Sequence, residues 1–187
     1  MKDFSDITFN PAWLSALVIA AAVTWFVVRT IRDLHRPYSR HRRCWAAAKR
    51  VSRTLRARDM TEAAKMTYLR RIDPFVFEEL VLYSFRRSGC RVRRNRRYSG
   101  DGGSDGIVWI DGRKHLLQMK RYSGYISASD VRDFTDLCRN RHCHGLFVHT
   151  GRTGAASKEQ AERNDRVEIL SGARLLRLVI YNTYIKK

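Results

Sequence analysis

The chain has 187 residues, which as a prior fits one domain with additional segments rather than two large domains. Lys and Arg number 37 against 18 Asp and Glu, and the resulting formal charge of +19 favours a polyanionic partner, either nucleic acid or an anionic membrane surface. Hydrophobic residues make up 44%, which excludes a wholly disordered chain. The four cysteines are too few for a disulfide framework and fit reduced thiols in the cytoplasm.

A run of 22 residues between Asp6 and Arg29 contains no charged side chain. As a helix it would be about 33 Å long, enough for a hydrocarbon core of about 30 Å. Trp13 and Trp25 lie near its ends, where amphipathic rings favour the membrane interface. The sequence therefore predicts one transmembrane helix over residues 11–28, and hence a lipid bilayer as a partner.

The flanks of this run predict its orientation. The carboxyl flank is rich in arginine, namely Arg29, Arg32, Arg36, Arg40, Arg42 and Arg43. The positive-inside rule then predicts a short extracytoplasmic tail over residues 1–10 and a carboxyl-terminal domain in the cytoplasm, held at the inner membrane. A cleaved signal peptide and a buried core helix are the alternatives; the absence of a basic amino end and the all-round apolarity weigh against them.

Residues 29–69 are predicted to form a basic helical linker. Pro37 is expected to interrupt the first helix. From residue 40 to 58 the chain is basic, with apolar residues at helical spacing: Trp45, Ala48, Val51 and Leu55. This segment is either an amphipathic helix lying on anionic lipid or nucleic acid, or a solvated linker helix. Asp59, with Glu62 three residues later, is expected to cap a new helix.

Asp73 and Pro74 are strong signals for a helix start. The residues that follow at helical spacing form one apolar stripe: Phe77, Leu80, Val81, Ser84 and Phe85. Glu78 falls on the rim of this stripe, and Glu79 falls on the opposite side, where we expect solvent. Gly89 is expected to end the helix.

A short basic strand over residues 90–97 and a glycine-rich loop over residues 98–106 precede a predicted hairpin. Its strands cover residues 107–110 and 113–120, and Asp111-Gly112 is typical of a primed two-residue turn.

The hairpin fixes a register. If Asp111 and Gly112 are the loop residues, Asp105 faces Gln118 on one sheet face. Lys120 shares that face because side chains alternate along a strand. A shift of one residue would destroy this grouping.

The rest of the chain alternates helices and strands. A helix capped by Ser127 or Ser129 is followed by a strand over 144–149, a helix over 155–163, a strand over 167–170 and a helix over 172–181. This alternation predicts an α/β layered domain.

A carboxylate facing an amide, with a lysine two residues further on, suits divalent-metal hydrolysis of a phosphodiester. Oxygen ligands hold Mg²⁺, the metal activates water, and the lysine stabilises developing negative charge. A chance grouping at a strand end is the alternative, since the spacing alone is common.

Three segments carry a family resemblance: Asp-Pro-Phe-Val-Phe-Glu (73–78), Ser-Gly-Asp-Gly-Gly-Ser-Asp-Gly (99–106) and Gln-Met-Lys-Arg-Tyr (118–122). They resemble the Mrr-like restriction endonuclease domain of the PD-(D/E)XK nuclease superfamily. The likeness continues through Val-His-Thr-Gly (148–151), Thr153, Ala156 and residues 170–175.

The resemblance implies a central mixed sheet flanked by helices over residues 70–182, followed by a short tail over 183–187. It implies that Asp105 binds the metal, that Gln118 occupies the second acidic position, that Lys120 is the catalytic lysine, and that Glu78 is a helix carboxylate near the metal. The implied cofactor is Mg²⁺ or Mn²⁺, and the implied partner is double-stranded DNA, with a homodimer as an open alternative.

Arginines next to the glycine-rich loop are the predicted DNA contacts: Arg93, Arg94, Arg96, Arg97 and, beyond Lys120, Arg121. A merely solvated basic face is the alternative reading of the cluster.

The sequence thus predicts a membrane-anchored, metal-dependent DNA endonuclease with a role in restriction or defence. Two alternatives are a non-catalytic membrane tether that binds DNA with a nuclease fold, and a basic adaptor on the membrane surface.

Overall fold

The structure is a computed structural model that describes residues 11–57, 59–95, 103–163 and 165–185, with the backbone alone for residues 11, 12, 14 and 33–39. The elements in chain order are α1 (Pro11–Ala57), α2 (Glu62–Arg71), α3 (Pro74–Arg87), β1 (Arg91–Arg94), β2 (Gly106–Ile110), β3 (Arg113–Lys120), α4 (Ala128–Asn140), β4 (His144–His149), α5 (Ala155–Glu162), β5 (Val167–Leu170) and α6 (Gly172–Tyr181). The chain divides into two compact units, Met1–Arg40 and His41–Lys187.

In the first unit, α1 presents a stretch from Ser15 to Arg32 that is long and apolar enough to cross a membrane, and none of it is buried. The hydroxyls of Thr24 and Thr30 donate to the carbonyls of Ala20 and Phe26, each at 2.8 Å. Both hydroxyls are thus satisfied within the helix.

The expected interruption at Pro37 is wrong, because α1 continues through this residue to Ala57. A proline removes one hydrogen bond of the helical ladder, and the helical turns on both sides of it remain.

The apolar side of the part of α1 in the second unit packs into the domain. Ala48 and Leu55 are fully buried, Val51 is almost so, and all three belong to the hydrophobic core of the domain. The next helix begins after Thr61, whose hydroxyl accepts from the N–H of Ala64, and not after Asp59 as the sequence predicted. Thr61 offers the same kind of oxygen cap two residues later.

The five strands form one mixed sheet in the order β1-β2-β3-β4-β5. The pairs β1–β2 and β2–β3 are antiparallel, whereas β3–β4 and β4–β5 are parallel. Positive φ angles at Asp111 (50°) and Gly112 (75°) identify the primed hairpin turn. The predicted register is confirmed from Ile110–Arg113 to Gly106–Leu117.

Helices cover both faces of the sheet. One core joins the carboxyl-terminal part of α1 with α2, α3 and α6 to inward residues such as Val108, Leu117 and Val148. The other core joins α4 and α5 to Ile107, Leu116 and Phe147 on the opposite face. This is the layered α/β arrangement that the alternation of helices and strands predicts.

The start of α3 is confirmed, since the carboxylate of Asp73 accepts from the N–H groups of Phe75 and Val76 at 2.8 and 3.2 Å. The expectation that Glu79 faces solvent is wrong, because its side chain is only 1% exposed. A second layer covers the outer side of α3: His41 Nδ1 and Arg94 Nη2 each lie 3.0 Å from a carboxylate oxygen of Glu79. A helical wheel built from one helix contains no information about this second layer.

Candidate active site

Asp105 lies one residue before β2, where the hairpin pairing ends. Its N–H donates to the carbonyl of Leu117 at 2.7 Å, and its Oδ2 accepts from the N–H of Met119 at 2.6 Å. These two bonds reach the residues on either side of Gln118, so Asp105 is held across from Gln118. The hairpin argument thus placed these two residues together.

Gly106 allows α3 to approach this strand end. A Cβ at this position would lie 3.0 Å from Cδ2 of Leu82 on α3 and 3.2 Å from the carbonyl oxygen of Arg93. Both distances are tighter than ordinary van der Waals contact, so a larger residue after Asp105 would have to displace Leu82 or the backbone of Arg93.

Gln118 and Lys120 lie on the face of β3 that carries Leu116, because side chains alternate along the strand. The Oε1 atom of Gln118 is buried and has no hydrogen-bond partner among the described residues. Lys120 is close enough to Asp105 for its ammonium group to stabilise the carboxylate. Asp105, Gln118 and Lys120 therefore converge at one end of the hairpin.

The electrostatic state of Asp105 reflects this position. Burial raises the pKa of the Asp105 carboxyl, and the hydrogen bond from Met119 and the charge of Lys120 offset only part of the rise. A buried carboxylate whose charge is incompletely compensated is a favourable site for an additional cation.

Glu78 precedes Leu82 by one helical turn of α3. Leu82 lies against Gly106, next to Asp105, and residues four apart occupy the same side of a helix. The Glu78 side chain is 9% exposed. The wheel position on the rim of the apolar stripe is consistent with this burial.

The sequence did not single out His149, which pairs with Lys120 at the end of β4 and is fully buried. Its Nδ1 accepts from the N–H of Gly151 at 3.1 Å, so the hydrogen is on Nε2, which lies 3.2 Å from the hydroxyl of Thr153. Burial lowers the pKa of His149 to about 4, which keeps the ring neutral. The available signal was a histidine directly after the apolar run Leu-Phe-Val (146–148).

Asp130 is a second residue that the sequence did not single out. It lies in the first turn of α4, and its Oδ1 forms an ion pair with Lys120 Nζ at 2.9 Å. Its other oxygen accepts from the hydroxyl of Tyr122. The available signal was an acidic residue in the first turn of a predicted helix, which does not name Lys120 as its partner.

Comparison with known proteins identifies the family of this domain. The family model Mrr_cat, described as a restriction endonuclease, matches residues 69–179, which is more than half of the chain. The chain belongs to the Mrr_cat restriction endonuclease family. Asp105, Gln118, Lys120 and Glu78 all fall within the matched residues.

A curated relative of this family is the type IV methyl-directed restriction enzyme EcoKMrr of Escherichia coli (strain K12). It is 26% identical to this chain over 133 residues, which is 67% of this chain and 44% of the relative. The chain thus spans less than half the length of that relative. No solved structure matches the chain.

The predicted DNA-contacting arginines of this nuclease domain differ in their surroundings. Arg93 is exposed and pairs with Ile107, so it lies on the sheet face of Gln118. Arg94 points to the other face, where it binds Glu79 and stacks over Trp45 with its guanidinium carbon 4.8 Å from the ring centre. Arg96 and Arg97 lie outside the described residues.

Arg121 also has an intramolecular partner, because its Nη1 donates to the carbonyl of Arg70 at 2.9 Å. Arg70 in turn donates from Nε to the carbonyl of Thr150 at 2.9 Å. These two bonds tie the end of α2 to the segments that follow β3 and β4.

The residues at the site fit a divalent cation of the Mg²⁺ class. Asp105 supplies a buried anionic oxygen and Gln118 a buried neutral oxygen that lacks a partner in the described parts of the chain. Hard cations prefer such oxygen donors and retain several waters. Within those described parts, no group of three or more His, Cys, Asp or Glu side chains could hold a metal, so a cation here would depend on the amide as well as on carboxylates.

Proposed function

We propose that this chain is a membrane-anchored, divalent-metal-dependent endodeoxyribonuclease that hydrolyses phosphodiester bonds of foreign DNA in restriction or defence. The observation that carries the proposal is the convergence of the Asp105 carboxylate, the unpartnered amide oxygen of Gln118 and the Lys120 ammonium at one hairpin end. Membership of a restriction endonuclease family supports the same activity.

Each residue has a distinct task in this proposal. Asp105 supplies the negative charge that holds Mg²⁺ or Mn²⁺, Gln118 supplies a neutral oxygen, and Glu78 adds a carboxylate from α3. The bound metal would polarise the phosphoryl oxygen and lower the pKa of its water. Lys120 orients the attacking water and stabilises the charge that develops on the phosphate.

The substrate in this proposal is double-stranded DNA. Arg93 lies exposed on the sheet face of the site, where it is suited to contact a phosphate. A homodimer would supply one such site for each strand of the duplex.

The activity is tested with the full chain in detergent micelles and a supercoiled plasmid. We expect nicked and linear products with Mg²⁺ and none with EDTA. Because the relative EcoKMrr is named as methyl-directed, methylated and unmethylated plasmids are assayed side by side. Absence of cleavage on both substrates with Mg²⁺ and with Mn²⁺ would contradict the proposal.

The anchor is the apolar stretch Ser15–Arg32, with its arginine-rich carboxyl flank. The proposed topology is a single pass of the inner membrane, with the nuclease domain in the cytoplasm. Protease added to sealed spheroplasts should leave a carboxyl-terminal tag intact, whereas lysis should expose the tag. Digestion in sealed spheroplasts would reverse the proposed orientation.

A second candidate function is a membrane tether that binds DNA without cutting it. The observation in its favour is Gln118, which gives a metal a neutral oxygen in place of the charged oxygen of a Glu. Retention on DNA by the wild-type chain, without cleavage under any of the conditions above, would select this function.

A further inference from the structure

The proposed nuclease activity depends on where the Lys120 ammonium lies, and the structure gives that ammonium a specific partner outside the metal-binding residues. Lys120 Nζ lies 2.9 Å from Asp130 Oδ1, and the side chains are 36% and 29% exposed. The hydroxyl of Tyr122 donates to the second carboxylate oxygen of Asp130. Each oxygen of Asp130 therefore has a partner, one at the last residue of β3 and one two residues beyond it.

The position of Asp130 is determined by the start of α4 and by hydrogen bonds to its carboxylate. It occupies the first turn of α4, next to Val131, which is fully buried in the core. The cap of this helix is Ser127, whose hydroxyl accepts from the N–H of Ser129. Partial burial raises the pKa of Asp130, but the hydrogen bonds from Lys120 and Tyr122 outweigh it, and the pKa is lowered. A negative charge is also favoured in the first turn of a helix.

Tyr122 is fixed by its backbone rather than by Asp130 alone. Its N–H donates to the hydroxyl of Thr150 at 3.0 Å, and its carbonyl accepts from the same hydroxyl at 3.0 Å. Thr150 is fully buried directly after β4. These two bonds hold the backbone of Tyr122 against the residue that follows β4.

The ion pair is too exposed to serve mainly as a source of stability, since such pairs contribute about 0 to 1 kcal/mol. Its main effect is on the position of the Lys120 ammonium. A lysine is a point charge on a flexible four-carbon stem, and a fixed carboxylate restricts where that charge lies. Lys120 also acts electrostatically on Asp105, so its charge interacts with one carboxylate of the candidate metal site and forms an ion pair with one outside it.

We propose that Asp130 is the positioning residue for Lys120, and that it holds the ammonium beside the reacting phosphate without touching substrate or metal. The proposal rests on the proposed nuclease function and adds to it a residue on α4. Losing Asp130 should affect the chemical step, because misplacement of a catalytic group lowers its effective concentration at the reacting atoms.

The kinetic test uses the full chain in detergent micelles, plasmid DNA and Mg²⁺. Asp130→Asn should lower the single-turnover rate by about tenfold or more while changing the Kd for DNA by less than about twofold. Asp130→Glu should recover part of the rate, and Tyr122→Phe should cause a smaller loss. Asp133→Asn, an exposed carboxylate on the same helix, is the matched control. A folded Asp130→Asn chain that cuts at or above the wild-type rate would overturn the proposal.

A second measurement does not depend on cleavage. The wild-type and Asp130→Asn chains are labelled with limiting acetic anhydride, and acetylation is followed by mass spectrometry. We expect Lys120 to be protected in the wild-type chain and to react several-fold faster in the variant, with the exposed Lys114 unchanged in both. Equal labelling of Lys120 in the two chains would overturn the positioning role. If Lys120 reacts faster in Asp130→Asn but the wild-type chain never cuts DNA, Asp130 still positions Lys120. Only the proposed nuclease function is then contradicted.

Discussion

At the scale of single residues, the buried group around Glu79 joins three elements of the domain. His41 comes from α1, Glu79 from α3 and Arg94 from β1, and both basic groups lie 3.0 Å from the carboxylate. Trp45, one turn after His41, lies under the Arg94 guanidinium and meets the ring of Tyr83 edge to face. The carboxylate therefore connects α1 to β1, the edge strand of the sheet.

Glu79→Ala should lower the free energy of unfolding by about 3 kcal/mol, because it leaves basic groups without their buried carboxylate. The measurement is urea unfolding of the full chain in detergent, followed by far-ultraviolet circular dichroism. The matched control is Glu159→Ala, which removes an exposed ion pair with Arg163 on α5 and should change little. If the two substitutions lowered the free energy of unfolding equally, the buried ion pairs of Glu79 would contribute no more to stability than an exposed pair does.

His149 should make the stability of the domain dependent on pH. Burial lowers its pKa to about 4 from an ordinary 6.5, so the unfolded chain takes up a proton at higher pH than the folded chain does. The stabilising contribution is fully present above pH 6.5 and is lost as the pH falls from 6.5 to about 4, by about 3 kcal/mol in total.

The check is the pH dependence of unfolding in wild type and His149→Gln. The difference in free energy of unfolding between the two chains should narrow as the pH falls across that range. A difference that is constant from pH 7 to 4 would mean that His149 has an unperturbed pKa.

Arg93 and Arg177 are both exposed, but only Arg93 lies on the sheet face of the candidate site. Arg93→Gln should weaken DNA binding on all sequences and reduce the slope of log K against log salt by about 1, because one phosphate contact is lost. Arg177→Gln on α6 should leave the slope unchanged. Filter binding over a series of salt concentrations measures both, and equal slopes for all three chains would mean that Arg93 is only a solvated charge.

At the scale of elements, the second half of α1 is part of the nuclease domain. Ala48, Val51 and Leu55 contribute to the same core as α3 and α6, and burying such side chains is worth about 1 to 3 kcal/mol each. The family match begins only at residue 69, so this helix extends the domain beyond the part that the family model covers.

A fragment of residues 40–187 should therefore fold, whereas a fragment of residues 60–187 should expose its core. We expect cooperative thermal unfolding for the longer fragment, and strong binding of an apolar dye with no cooperative transition for the shorter one. Identical cooperative unfolding of both fragments would mean that the helix is dispensable to the core.

Local geometry explains which elements the sequence predicts well. The Asp111-Gly112 turn fixes the hairpin register within ten residues of chain, and this register brought Asp105 opposite Gln118. The caps at Asp73 and Ser127 are equally local. Each depends on a backbone conformation that a few neighbouring residues determine.

The features that the sequence missed depend on contacts between distant residues. Glu79 is buried because His41, 38 positions earlier, covers it, and a wheel drawn for α3 alone assigned it to solvent. Lys120 and Asp130 meet because α4 packs on the sheet, and the signal in the sequence was only an acidic residue in a first turn. Pro37 was expected to end a helix that continues, since the penalty for one proline is local and the helix is long.

At the scale of the whole molecule, two properties of the chain combine: a net charge of +19 and an apolar stretch long enough to span a bilayer. The charge favours association with a polyanion and makes it dependent on salt. The proposed anchor would confine a DNA-cutting domain to the cytoplasmic side of the membrane, where DNA entering the cell is first met.

The most direct test of this account is cleavage of plasmid DNA by Asp105→Asn. The full chain in detergent micelles is incubated with supercoiled plasmid and Mg²⁺, and Asp133→Asn serves as the control carboxylate. The account predicts that wild type and Asp133→Asn cut, and that Asp105→Asn loses activity by about a hundredfold or more, because the main charged ligand for the metal is gone. An Asp105→Asn chain with wild-type circular dichroism that cuts at the wild-type rate would contradict the account.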